Sequence, residues 1–168
     1  MHQLARGAAL ALTAFVCAAV VAGAAPEVPF TEPAGPFEGT FEGTAYGARG
    51  TSAPLTLTLT QSGSEVSGTA ALGEGLYVTT AGCGGAPVPA GSVQGSGEAA
   101  PDQPHRVSIR SAVDLYGISM PYLITGDLAP DGQSITVTAT LDVPAFCGPD
   151  PSGTGTLQRT DGATAPAA

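Results

Sequence analysis

Cys83 and Cys147 are the residues of this sequence whose chemistry is simplest to name. They lie far apart in the chain, not in the C-x-x-C spacing of a redox-active pair. A structural disulfide is the expected chemistry, provided the third cysteine, Cys17, does not compete. Nucleophilic catalysis would need a base beside a nucleophile. His105 is the one histidine beyond His2, it stands at the start of an alternating run, and no G-x-S-x-G elbow surrounds any serine. Glu38 and Glu42 share a parity opposite to Phe37 and Phe41, which directs them to water rather than to a paired-carboxylate site. Asp131 and Asp150 occur in turn contexts. No zinc spacing, calcium-loop acid ladder or phosphate cradle is present. The expectation is a protein without catalytic residues, cofactor or metal.

Tyr77, Tyr116 and Tyr122 are the candidate ligand-binding residues. They fall in or beside expected loops, and with "LYGISMPYL" (residues 115–123) they would form an aromatic rim.

The elements that position these residues are strands. Residues 55–72, "LTLTLTQSGSEVSGTAAL", alternate apolar and polar side chains, turn at Ser62-Gly63 and alternate again. Residues 124–141, "ITGDLAPDGQSITVTATL", follow the same pattern around Asp131-Gly132, with Leu128 aligned to Leu59 at an offset of 69. Each hairpin is preceded by an alternating run (residues 37–46 and 105–113). Each is followed by a cysteine-containing loop and a glycine-rich run (residues 91–99 and 153–160). Two four-strand repeats, residues 37–100 and 105–160, make an all-β, eight-stranded, up-and-down antiparallel barrel, with a β-sandwich as the alternative. Gly39, Gly43, Gly68 and Gly126 fall at inward parity, where they permit the coiling a small barrel needs.

In such a meander the loops after strands three and seven open at the same end, on opposite sides of the mouth. These loops hold Cys83 and Cys147. They must lean inward to bring the Cα atoms within roughly 4.4–6.8 Å. The expectation is a disulfide strapping one mouth, at the end to which Tyr77 and Tyr116 also belong.

The N-terminus reads as an export signal over residues 1–24: Arg6, an apolar run from Ala8 to Val21, then small residues. A retained membrane anchor is the alternative. Cleavage would remove Cys17 and leave Cys83 and Cys147 as an even pair. It would also leave four arginines against fourteen acids, a net charge of −10, in a chain without lysine. That balance excludes nucleic acid and anionic lipid as partners, since both need clustered cations. Residues 25–36 form a proline-rich lead and residues 161–168 a flexible tail, around a single domain at residues 37–160.

"FEGTFEG" carries Gly39-Thr40-Phe41 on the first strand, and "GTGTLQRT" places Arg159 in the last. This layout resembles the calycin-type, lipocalin-like barrels, which use a Gly-x-Trp on the first strand with an arginine from the last strand packed over the ring. The resemblance implies that Phe41 and Arg159 form the barrel-closing pair and that the barrel binds small apolar ligands. The sequence departs from that family in having no tryptophan and in its internal repeat.

The reading is an exported (secreted or periplasmic), non-enzymatic barrel that binds a small, partly apolar ligand, without membrane insertion once the signal is removed. A filled-barrel interaction domain contacting protein or glycan is the alternative. A secreted enzyme inhibitor presenting "GGAPVPAG" (residues 84–91) is a further one. Oligomeric state is not legible in the residues.

Overall fold

The computed structural model describes residues 35–115 and 117–162. The expected signal segment, most of the proline-rich lead, Tyr116 and residues 163–168 lie outside the described residues. Ten strands follow in chain order: β1 (Gly39–Tyr46), β2 (Ser52–Ser62), β3 (Glu65–Leu72), β4 (Tyr77–Thr80), β5 (Gly84–Pro87), β6 (Gly91–Ala100), β7 (Gln103–Leu115), β8 (Ile118–Leu128), β9 (Ser134–Leu141) and β10 (Ser152–Arg159). Eight of them close into an antiparallel barrel in the order β1-β10-β9-β8-β7-β6-β3-β2. The sandwich alternative fails because the first and last strands pair, from Phe41↔Arg159 to Tyr46↔Thr154, and close the sheet on itself.

Strand parity sorts the side chains as the alternation predicts. Phe41, Leu57, Leu59, Val66, Val107, Ile109, Leu128, Ile135, Val137 and Leu157 are buried in one cluster with Phe37 and Ile124. Glu42 faces water beside buried Phe41. Two inward glycines are required by close backbone approach. A Cβ on Gly68 would run into the Thr58 carbonyl, and one on Gly43 into the Thr156 carbonyl, both on neighbouring strands.

The core occupies one end of the barrel. Inward side chains shrink along several strands from that end toward the other: Phe41, Gly43, Ala45 on β1; Leu157, Gly155, Gly153 on β10; Ile135, Val137, Ala139 on β9. The first end is therefore packed and the second is not.

The two aligned hairpins occupy barrel positions two-three and six-seven and turn at the same, packed end. Their registers differ. Leu59 pairs with Gly68, whereas the aligned Leu128 pairs with Ile135, two residues short of the aligned position. The sequence pattern is thus shared while the pairing is not.

Two expectations are corrected. Residues 73–90 are not simply a long loop; they contain the β4–β5 hairpin, paired from Tyr77↔Pro87 to Thr80↔Gly84 and outside the barrel sheet. The second half also has longer strands than the alternation showed. β8 begins at Ile118, so "ISMPYL" is strand, and Tyr122 lies within it rather than in a loop. Pro121 sits where β8 has already outrun its β9 partner, whose pairing starts at Tyr122↔Leu141; such an edge tolerates proline.

Candidate binding cavity

The β1–β2, β3–β6, β7–β8 and β9–β10 connections all lie at the unpacked end. The β4–β5 hairpin lies over this mouth and is tied down on two sides. On one side the Tyr77 amide donates to the Thr51 hydroxyl at 3.1 Å, and the Arg49 guanidinium stacks on the Tyr77 ring at 4.8 Å from its centroid. On the other, Cys83 at the hairpin tip is bonded to Cys147 in the β9–β10 loop, with Cα atoms 4.8 Å apart. The Gly82 amide donates to the Cys147 carbonyl at 2.8 Å alongside it. The disulfide joins the loops after the third and seventh barrel strands, so the two loops do lean together across the mouth.

Beneath the hairpin the barrel interior holds a cavity of about 260 Å³. Its walls are apolar: Leu55, Ala70, Leu72, Val93, Val113 and Leu115 from the barrel, with Leu76, Val78 and Val88 from the hairpin segment. Among the described residues, no charged side chain lines it. Ala139 points inward yet remains exposed, because it faces this space rather than packed atoms. A void of about 20 Å³ continues toward the core, bounded by Leu57, Leu59, Ile109, Ser111 and Tyr122.

One wall is incomplete. The β6–β7 ladder begins at Ser96↔Arg110 and runs only toward the packed end. Mouthward of that point, residues 91–95 pair with β3 and residues 111–115 with β8, and neither segment pairs with the other. Where the ladder stops, the Ser111 hydroxyl donates to the Gln94 carbonyl and replaces a ladder bond. Gly91, Val93, Val113 and Leu115, from both sides of this seam, line the cavity.

Tyr122 stands opposite Ser111 in the β7–β8 register and lines the cavity. Burial pushes its phenol above the usual tyrosine value, partly opposed by a hydrogen bond with Ser111. Tyr77 lies on β4 under Arg49 and is absent from the cavity lining, so the structure does not bring Tyr77 and Tyr122 together. The expected aromatic rim is replaced, among the described residues, by one tyrosine inside the barrel. Tyr116 falls outside them. Among the described residues, the exposed large apolar side chains Tyr46, Ile118 and Phe146 all belong to the mouth end. Residues 84–87 form β5, and residues 88–91 contribute to the cavity lining.

The packed end is finished by Arg159. Its guanidinium lies over the Phe41 ring and donates to the carbonyls of Gly132 (2.7 Å), Pro36 (2.8 Å) and Glu38. Asp161 stands 3.9 Å from it and accepts from the Thr40 amide at 2.6 Å. Among the described residues no cluster of three metal-ligating side chains occurs, and no helix is long and apolar enough to cross a membrane.

The fold has solved counterparts. A redesigned β-barrel superposes with a TM-score of 0.50 at 18% identity, over 75% of this chain and 93% of its own. The redesigned β-barrel mFAP1, solved bound to DFHBI, gives 0.49 at 17% identity over 74% and 95%. A de novo designed fluorescence-activating β-barrel gives 0.45 at 17% identity over 74% and 94%. No protein-family model matches the sequence, and no curated protein matches it either. The chain shares the closed eight-strand barrel architecture with the first of these, and the likeness is one of fold.

Proposed function

We propose that this protein is an exported binding module that holds one small, largely apolar molecule in its barrel and catalyses no reaction. The cavity of about 260 Å³, predominantly apolar and roofed by a disulfide-tied hairpin, carries this reading. An eight-strand barrel either fills its interior with side chains or holds one ligand, and here the mouth half is unfilled. An apolar cavity of about 150 Å³ stays dry and takes up benzene. A larger one behind the same kind of wall favours an apolar guest over water. The Phe41–Arg159 stack agrees with the lipocalin-like resemblance, and the disulfide with an oxidising, extracytoplasmic compartment.

A second reading, an interaction domain, draws on Phe146, at 80% exposure, and Ile118, at 63%, on the mouth rim. Native mass spectrometry of protein isolated gently from its own compartment separates the two. A discrete extra mass that leaves on denaturation is the expected result. A bare, oxidised chain in several preparations, with no uptake of naphthalene, would overturn the carrier reading.

A further inference from the structure

The β7–β8 hairpin outruns both of its neighbours toward the mouth. On the β7 side the last ladder pair to β6 is Ser96↔Arg110, followed by the Ser111 hydroxyl on the Gln94 carbonyl. On the β8 side pairing with β9 starts at Tyr122↔Leu141, and the Asp142 amide donates to the Pro121 carbonyl at 2.9 Å. Beyond those points residues 112–115 and 118–120 have no ladder to β6 or β9; their strand pairs, such as Val113↔Met120 and Leu115↔Ile118, lie within the hairpin. The Gly117 amide donates to Asp114 Oδ1 at 2.7 Å and closes the turn of this arm.

The arm is also a wall. Val113 and Leu115 on its inner face line the cavity, Leu115 buried and Val113 half-buried. Gly91 and Val93 of β6 stand across the seam, and a Cβ placed on Gly91 would meet nothing within 4 Å. One placed on Gly97, where the ladder is intact, would run into the Ser108 carbonyl of β7. The two strands therefore part toward the mouth. The roof is held differently. Its hairpin is fastened to the β1–β2 connection through Tyr77 and Thr51, and to the β9–β10 loop by the disulfide. Among the described residues, no hydrogen bond or disulfide joins the roof to the β7–β8 arm. A two-stranded hairpin without further support is marginal in water, so the arm is the wall segment that costs least to move.

Resting on the carrier reading above, we propose that the guest enters and leaves sideways, through the β6–β7 seam. The arm of residues 112–115 and 118–120 swings outward on its base at Ser111 and Pro121 while the roof stays fixed. Apolar contact through Val113 and Leu115 then closes the arm over the guest.

The test fastens the arm. Gln94 and Ala112 are exposed, and they face each other when the register is continued past Ser96↔Arg110. Gln94→Cys with Ala112→Cys, oxidised or bridged by bismaleimidoethane, ties β7 to β6 across the seam. Stopped-flow fluorescence of naphthalene compares this protein with the oxidised wild type and with Cys83→Ser/Cys147→Ser. Fastening the arm should slow association and dissociation each by about tenfold or more and leave Kd within about twofold. Freeing the roof should change either rate by less than about threefold. Hydrogen exchange of the wild-type protein needs no variant: residues 111–121 should exchange faster than residues 122–128 and slow when naphthalene saturates the protein. Wild-type rates in the fastened protein, a larger acceleration on freeing the roof, or exchange in residues 111–121 that naphthalene leaves unchanged would overturn the side entrance while the carrier reading stands. Failure of naphthalene to bind the wild-type protein would overturn both.

Discussion

Arg159, at the end of the last strand, lies over the ring of Phe41 on the first, with its guanidinium carbon 4.4 Å from the ring centroid. Phe41 is fully buried and the Arg159 side chain is 2% exposed. The pair joins the two strands whose meeting closes the barrel. The same guanidinium also gathers the carbonyls of Pro36, Glu38 and Gly132, drawn from the lead-in to β1 and the β8–β9 turn.

Removing that fork strands several carbonyls at once. Arg159→Ala should destabilise the fold by about 3 kcal/mol, and Arg159→Lys should recover little, because an ammonium cannot stack and bridge in this planar way. Urea unfolding of the three proteins checks this. An alanine variant of wild-type stability would show that the barrel closes through its ladders alone.

The disulfide acts on a different part of the molecule. It ties a hairpin tip to a loop, and neither cysteine lies in a barrel strand. Replacing both cysteines by serine should lower Tm by roughly 10 °C or more, from the lost constraint on a long unfolded loop. The far-UV circular dichroism should stay that of the barrel. Loss of that signal under native conditions would mean that the strap holds the sheet itself together.

The cavity can be filled from β9. Ala139→Leu replaces a methyl by an isobutyl group at an inward, unpacked position. Stability should be unchanged or rise by up to about 1 kcal/mol, while naphthalene binding weakens at least tenfold. A destabilised variant that still binds naphthalene would place the guest elsewhere.

Tyr122 makes stability pH-dependent in the alkaline range. Burial raises its phenol above the ordinary tyrosine value, so the folded state holds this proton more tightly than the unfolded chain. The associated stability is fully present below pH 10 and is lost as pH rises through the folded value. Thermal melts from pH 8 upward should show a fall above pH 10 that is smaller in Tyr122→Phe. Parallel curves for the two proteins would contradict a buried phenol.

The sequence by itself determined the eight barrel strands, their inward and outward faces, and the closing roles open to Phe41 and Arg159. It also determined that Cys83 and Cys147 would share one end. Period-two alternation is a local property, and a meander converts it directly into neighbours and ends. The β4–β5 hairpin was not legible, because "YVTT" and "GGAP" carry no alternating apolar face. Those strands exist through their contacts with Thr51 and Cys147. Tyr122 was read as a rim residue because Pro121 and Gly117 resemble loop punctuation; pairing with β7 carries the strand through them. The shrinking inward side chains of β1, β9 and β10 were a readable sign of an unfilled mouth, but their alignment along one side of the cavity needed the register. The incomplete wall of the barrel was decided by tertiary structure alone. It depends on the β6–β7 ladder ending at Ser96↔Arg110, mouthward of which β6 pairs only with β3 and β7 only with β8, a register that no single strand's alternation encodes.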